Sequence, residues 1–277
     1  MSSELSTRDF KRIAKLVHEL SGITINDTKR SLIVARLQKR LRKLGLPSFR
    51  DYLRHVEDDR SLVELTEMID AITTNHTWFF REDDHFDFLR HKVVPNLPRF
   101  ARGWCAACST GEEPVSIALT LLDAMSTARH DEVRLLASDL STKALAAARA
   151  GVYSLERASQ IPPAMLHEHF ERGYGKQEGL VRIKPAVRRL LEYQQINLLD
   201  ISQHGSAFDF IFCRNVMIYF DQAVQQRVIV NLERSLKPGG FLFTSHSESL
   251  NRITHELQWV APAVYQRPAA RQWKVAA

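Results

Sequence analysis

Long apolar runs are absent from this sequence, and cysteine is scarce. No stretch reaches the roughly 20 uninterrupted apolar residues that a membrane-spanning helix requires, and the first residues lead into a polar amphipathic pattern rather than a signal peptide. The three cysteines, Cys105, Cys108 and Cys213, are too few for a disulfide framework and are expected to be buried thiols. We therefore expect a globular cytoplasmic protein that does not insert into a membrane.

Several functional signatures are also missing. Cys105 and Cys108 form a CxxC pair with no second pair, so core packing is favoured over a redox or metal site, and no metal ligands are predicted. His246, Ser247 and Glu248 are not accompanied by the GxSxG turn of hydrolases. The small-residue loop 108–114 lacks the GxGxxG pattern, which disfavours dinucleotide binding.

Positive charge is abundant and unevenly placed. The net charge of +6 favours an acidic partner. Residues 29–44 form a predicted helix that carries seven basic residues and no acidic ones: Lys29, Arg30, Arg36, Lys39, Arg40, Arg42 and Lys43. Such a charge run is more often a solvated helix face. The lack of interspersed acids nevertheless favours a docking surface.

Two domains are predicted from the change in hydrophobic period. In residues 1–95 apolar residues recur at helical spacing, as in Phe10, Ile13 and Val17, and predict a helical domain. In residues 96–277 short apolar runs alternate with helical patterns, which is typical of an α/β fold with a parallel sheet. Its strands are predicted at 103–107, 133–138, 190–196, 208–213, 241–245 and 259–266. Turn residues within about 153–189 predict a small inserted β-hairpin.

The ligand of such a sheet binds beyond the carboxyl ends of its strands. Loop 108–114 follows the first strand and enters a helix at Glu112 and Glu113, whose charges would repel a pyrophosphate. A zwitterionic or cationic ligand such as S-adenosylmethionine fits better than NAD. Asp139 ends the second strand, where an acidic residue can hold ribose hydroxyls, although it could equally cap the following helix. Its distance from the loop favours the ribose.

Four segments together resemble the CheR family of chemotaxis receptor methyltransferases: 74–82, 109–114, 212–220 and 246–249. The resemblance extends from the N-terminal helices to about Tyr265. It implies a class I, Rossmann-like methyltransferase sheet, an N-terminal all-helical domain and a small antiparallel β-subdomain. It also implies S-adenosylmethionine as methyl donor and S-adenosylhomocysteine as product.

The resemblance implies the site residues as well. The cofactor residues would be Asn75, Thr77, Arg81, Glu113, Asp139, Asn197, Leu198 and Asn215. Arg81 and Tyr219 would face the methyl group and act in catalysis, Arg81 by a charge-assisted contact with the substrate carboxylate and Tyr219 by a hydrogen bond. Two residues depart from the family pattern: Ala107 replaces a common glycine and Cys105 a common serine.

Partners follow from the same resemblance. The basic helix, through Arg36, Lys39, Arg40, Arg42 and Lys43, would dock on the acidic helices of a receptor. The insertion resembles the β-subdomain with which some family members bind a peptide at the receptor C-terminus. A monomer recruited to membrane receptor arrays is expected, with no nucleic-acid partner.

Two alternatives remain at this stage. A methyltransferase acting on nucleic acid could use the basic helix against phosphates, but the DPPY or NPPY turn common in amino-directed base methyltransferases is absent. A non-catalytic cofactor-binding scaffold would be expected to lose Arg81, Asp139 or Tyr219, and all three are present.

Overall fold

The first domain is all-helical, as predicted. The structure is a computed structural model that describes residues 5–60, 63–73, 76–201 and 207–269. The first four helices are α1 Thr7–Ser21, α2 Arg30–Leu44, α3 Phe49–Asp58 and α4 Val63–Ile72. Their apolar faces meet in one core that contains the predicted stripe of Phe10, Ile13 and Val17. Ser6 caps α1, because its hydroxyl accepts a hydrogen bond from the Asp9 N–H at 3.1 Å.

The second domain is built on a seven-stranded sheet. The remaining described α-helices are α5 Asp84–Phe88, α6 Glu112–Ala124, α7 Thr142–Ala150, α8 Pro163–His169, α9 Pro185–Leu190 and α10 Gln222–Ser235. The strands are β1 Ala101–Ala106, β2 Val133–Asp139, β3 Val152–Ser154, β4 Phe170–Arg172, β5 Leu180–Ile183, β6 Leu191–Gln195, β7 Phe208–Cys213, β8 Leu236–Phe243, β9 Gln258–Ala261 and β10 Val264–Gln266. The order in the large sheet is β6-β2-β1-β7-β8-β10-β9. The first five strands in this order are parallel to one another, and β10 pairs antiparallel with both of its neighbours, β8 and β9.

The predicted α/β architecture is confirmed, with one correction at the C-terminal edge. Central strands such as β7 are nearly continuous apolar runs because helices cover both faces of the sheet. The single strand predicted at 259–266 is a hairpin of β9 and β10. The chain turns at Pro262, which has no N–H to donate to a strand ladder, and Ala263, whose φ of 55° is left-handed. β8 also begins at Leu236 rather than at 241.

The insertion forms the small antiparallel sheet that the resemblance implied. Strands β4 and β5 make the predicted hairpin, and β3 adds a third strand on the other side of β5. Its helices and strands are anchored by apolar side chains that join the main core, including Tyr153, Phe170 and Val181. The insertion is thus packed against the large sheet rather than held away from it.

The chain between the two predicted domains packs on the sheet. Phe79, Phe86, Leu89 and Val93 belong to the same core as β1 and α6. The boundary predicted at residue 95 stays a prediction, but the apolar contacts of the preceding segment are with the second domain.

Among the described residues, no helix combines the length and apolarity that a membrane span requires.

The basic helix differs from its predicted role at two positions. Arg40 is buried, and its guanidinium donates to Glu64 at 3.1 Å and pairs with Glu67 at 2.5 Å. Arg36 donates to the carbonyl oxygens of Ile72 and Thr73, which closes the C-terminal end of α4. Placing Arg40 on an exposed docking face was therefore wrong. The acidic residues that the basic helix itself lacks are supplied by α4, as Glu64 and Glu67. The other three predicted docking residues are exposed: Lys39, Arg42 and Lys43.

We expect Arg40→Ala to destabilise the helical domain by about 3–5 kcal/mol, because Glu64 would be left buried without its cation. Arg42→Ala, on the exposed side of the same helix, should change the free energy of unfolding by less than about 0.5 kcal/mol. The measurement is the urea midpoint of both variants by circular dichroism. Similar midpoints would contradict the buried ion pair.

Candidate active site

A cavity lies at the carboxyl ends of the central strands, beneath the helical domain. The second domain contributes residues at or just beyond the ends of β1, β2, β6 and β7, including Ser109, Glu113, Asp139 and Asn215. The helical domain contributes a second wall, formed by Ser21, Ile23, Lys29, Ile33, Ile72 and Thr73 among others. The cavity is therefore closed by residues from both domains.

The loop after β1 is held in an unusual backbone conformation. Ala107 and Ser109 have φ angles of 60° and 51°, in the left-handed region that costs an L-residue roughly 1–2 kcal/mol. At Gly111, with φ 98°, an added Cβ would lie 2.7 Å from the Tyr153 hydroxyl. The Ser109 Oγ atom is buried and has no hydrogen-bond partner among the described residues. It can therefore bind a polar group within the cavity.

Asp139 stabilises the loop after β1 and is not the N-cap of α7. Its carboxylate accepts hydrogen bonds from the N–H groups of Ser109 and Ser141, each at 2.8 Å. The N-cap of α7 is Ser141, whose hydroxyl accepts from the Ala144 N–H. Burial raises the pKa of Asp139 despite these hydrogen bonds. Each carboxylate oxygen keeps a lone pair, so ribose hydroxyls can still be bound there.

Arg214 is a buried cation between two carboxylates. Its side chain is fully buried, and it lies 2.8 Å from Glu113 and 3.0 Å from Glu82. It also donates to the carbonyl oxygen of Arg81. Burial raises the pKa of Glu113 although Arg214 opposes the shift. For Glu82, burial is outweighed by Arg214 and a hydrogen bond from Ser245, so the pKa is lowered.

Glu248 shapes the loop that follows β7, although it was not among the predicted site residues. Its buried carboxylate accepts four backbone hydrogen bonds, from the N–H groups of Asn215, Met217, Ile218 and Ser245. These bonds hold Asn215 at its left-handed φ of 57°. The signal in the sequence was an acidic residue just beyond a strand, within the segment 246–249 that carried the family resemblance.

The two predicted catalytic residues line the same cavity. The Arg81 guanidinium lies 4.2 Å above the Trp78 ring and donates to the His76 carbonyl oxygen at 3.3 Å. Tyr219 reaches the cavity beside Lys29, whose ammonium lies 5.1 Å from the centre of the tyrosine ring. Its backbone oxygen accepts a hydrogen bond from the Thr24 N–H at 2.8 Å, which ties this segment to the helical domain.

The remaining predicted cofactor residues are placed as follows. Thr77 and Leu198 line the cavity. Asn197 also lines it, but its amide donates to the Leu20 carbonyl oxygen at 2.6 Å, and its side-chain oxygen accepts from Leu199 at 3.0 Å. Its side chain therefore joins the sheet to α1. Asn75 lies outside the described residues.

Comparison with known proteins decides the family. The description "CheR methyltransferase, all-alpha domain" matches residues 8–73, and "CheR methyltransferase, SAM binding domain" matches residues 75–265. The chain belongs to the CheR methyltransferase family. It is an S-adenosylmethionine-dependent methyltransferase of chemotaxis.

Curated CheR relatives match along nearly the whole chain. It is 40% identical to the chemotaxis protein methyltransferase of Salmonella typhimurium over 262 residues, which cover 94% of this chain and 90% of the relative. Identity to chemotaxis protein methyltransferase 2 of Pseudomonas aeruginosa is 41%, with 93% and 92% covered. The Borreliella burgdorferi chemotaxis protein methyltransferase is 33% identical, with 96% of both chains covered.

The two departures from the CheR pattern differ in their surroundings. Ala107 takes the left-handed conformation that glycine adopts without strain. Cys105 is buried and donates its thiol hydrogen to Glu113 at 3.3 Å, as a serine hydroxyl could. Burial raises the pKa of all three cysteines, and the expected buried thiols are confirmed.

Replacing Glu248 by alanine should disrupt the loop that follows β7. Loss of the carboxylate leaves up to four backbone N–H groups without their acceptor, and we expect a stability loss of about 3 kcal/mol or more. Affinity for S-adenosylmethionine should fall with it. Urea unfolding and calorimetric titration would measure both effects. Glu256→Ala, an exposed acidic residue of the same region, serves as control, and equal losses in both variants would contradict the role given to Glu248.

Proposed function

We propose that this protein transfers the methyl group of S-adenosylmethionine to glutamate side chains of chemotaxis receptors, for sensory adaptation. The products are glutamate methyl esters and S-adenosylhomocysteine. The observation that carries the proposal is the composition of one cavity, which combines two carboxylates, Glu113 and Asp139, with the guanidinium of Arg81 and the phenol of Tyr219. The carboxylates suit a cationic methyl donor, and the guanidinium suits an anionic acceptor.

The donor would be held by groups whose chemistry matches its parts. Asp139 accepts the ribose hydroxyls, and Glu113 provides negative charge for the amino-acid end. The unpartnered hydroxyl of Ser109 adds a hydrogen bond beside them. The other assigned cofactor residues are Asn75, Thr77, Arg81, Asn197, Leu198 and Asn215. Asn197 contributes through its backbone, because its side chain is engaged with Leu20 and Leu199.

The reaction needs alignment rather than a general base. A glutamate side chain with a pKa near 4.3 is already ionised at neutral pH. Its oxygen forms a bond to the methyl carbon while the bond from that carbon to sulfur breaks, and the electron pair remains on sulfur. Holding the reacting atoms in line can lower the barrier by roughly 7–11 kcal/mol. Closure of the cavity by the helical domain keeps water away from them.

Arg81 and Tyr219 orient the acceptor. The Arg81 guanidinium rests on Trp78 through a cation–π contact that is worth only about 0.5–1 kcal/mol at a partly exposed site. It can therefore turn toward a carboxylate at little cost. Tyr219 donates a hydrogen bond to the same carboxylate. Neither contact should neutralise the carboxylate fully, because tight ground-state binding does not accelerate the transfer.

Receptor binding uses two surfaces. The exposed cations of α2, Lys39, Arg42 and Lys43, face outward and suit the acidic methylation region of a receptor helix. Arg36 and Arg40 support this surface from within the domain. The small sheet ends in the strands β3 and β4, whose outer edges can accept an extended receptor peptide. The protein would act in the cytoplasm, as a monomer recruited to receptor arrays.

Arg81→Ala should reduce methyl transfer to receptor-bearing membranes by at least about 100-fold, since one guanidinium orients the acceptor. The assay follows labelled methyl groups that alkali releases as methanol. Arg99→Ala is a matched control, because Arg99 also stacks on an aromatic ring, Phe100, at 5.2 Å, but precedes the amino end of β1. It should retain full activity.

The same assay distinguishes the rival functions. Donor binding without alkali-labile product on any receptor would favour a scaffold. Label that appears in added nucleic acid instead would favour a nucleic-acid methyltransferase. Either result would contradict the proposed reaction, and equal activity of Arg81→Ala and the control would contradict the role given to Arg81.

Charge reversal on α2 tests the docking surface. Lys39→Glu combined with Arg42→Glu should raise the KM for receptor about tenfold, at roughly 0.7 kcal/mol for each surface charge, and added salt should narrow the difference. Affinity for S-adenosylmethionine should not change. Lys15→Glu combined with Arg54→Glu reverses two charges on α1 and α3 of the same domain and should leave the KM unaltered. Equal effects of the two pairs would mean that only net charge matters.

A further inference from the structure

Two histidines and two carboxylates cluster directly behind Arg81. Ligand atoms of Glu82, His85 and His246 all lie within 4.8 Å of one another. Asp84 contacts the outer side of this group through His246. None of these four residues has a direct part in the methyl transfer described above. We refer to them as the two-histidine cluster.

His85 has no conventional explanation within the fold. Its side chain is 1% exposed, yet neither ring nitrogen has a hydrogen-bond partner among the described residues. The nearest carboxylate oxygen, on Glu82, is 3.6 Å from Nδ1, which is beyond hydrogen-bond distance. Buried nitrogens without partners are rare in folded proteins and usually signal an ion, a water or a functional constraint.

His246 is oriented as metal-binding histidines commonly are. Its Nε2 lies 3.0 Å from the Asp84 carboxylate. When Nε2 donates its proton to that carboxylate, Nδ1 keeps a lone pair for a metal ion. The His246 side chain is 45% exposed and its ring packs edge-on against His85 at 4.9 Å. Solvent therefore reaches the cluster from the His246 side.

We propose that Glu82, His85 and His246 bind one divalent transition-metal ion of the zinc type, with Asp84 orienting His246. Two imidazoles and one carboxylate are a donor set that zinc accepts. Ligand atoms of a tetrahedral zinc site lie about 3.3 Å apart, given bond lengths near 2.0–2.1 Å. Glu82 and His85, 3.6 Å apart, are already close to that separation, and binding would draw the half-exposed His246 toward them.

The local charge also suits an added cation. Glu82 pairs with Arg214 at 3.0 Å, but this one cation also serves Glu113, and Asp84 adds a further negative charge beside the histidines. Binding would join the segment that carries Arg81 to the segment after β8, through residues 162 positions apart in the chain. The ion would thus act at the wall of the active site.

The test is a calorimetric titration of Zn²⁺ into the tag-free, metal-stripped full chain. We expect one ion per chain, and His246→Gln and Asp84→Asn should each weaken binding by at least about tenfold. The matched control is His18→Gln, because His18 also pairs with a carboxylate, Asp221, at 2.7 Å and is 41% exposed. It should bind Zn²⁺ like the wild type. Circular dichroism confirms that each variant is folded.

Three results would overturn the site. The wild type could fail to bind Zn²⁺ at micromolar to millimolar concentrations. His246→Gln could bind with unchanged affinity, which would place the ion elsewhere. His18→Gln could lose as much affinity as His246→Gln, which would reduce the effect to general histidine content.

Discussion

The site depends on the burial of one cation. Moving a guanidinium out of water costs several kcal/mol, and the fold recovers this only if the charge meets well-placed partners. Arg214 meets Glu113 from the start of α6, Glu82 from the segment before α5, and the carbonyl oxygen of Arg81. Three parts of the chain must therefore converge on it. The position of Arg81 at the cavity wall follows from that convergence, although Arg81 and Arg214 are 133 residues apart.

Buried carboxylates hold the other loops by the same logic. Asp139 binds the loop after β1 through the Ser109 N–H, and Glu248 binds the loop after β7 through four N–H groups. A loop at the end of a strand has unpaired N–H groups, and a carboxylate satisfies them more strongly than water does. Asp139 and Glu248 thus fix the loops that surround the cavity.

The elements that could be predicted from the sequence are those marked by a local pattern. Apolar runs located β2, β6 and β7 within one or two residues, and helical spacing located the first domain, because burial of a face repeats along the chain. It missed pairings between distant residues. The acids that neutralise Arg40 lie on α4, and the acceptor for the Asn215 loop lies beyond β8. No periodicity within either segment indicates such a partner. The hairpin of β9 and β10 was missed because Pro262 was not recognised as the turn.

The link between Thr24 and Tyr219 has a mechanical consequence. A backbone hydrogen bond joins them, and Ile23 forms an isolated β-bridge with Phe220 beside it, so the segment after α1 is tied to the loop that follows β7. Backbone hydrogen bonds of this kind leave the two joined segments little room to move independently. A displacement of the helical domain would therefore also displace Tyr219. The helical domain is accordingly part of the cavity wall, and a chimaera that exchanged this domain between relatives would inherit a differently shaped cavity.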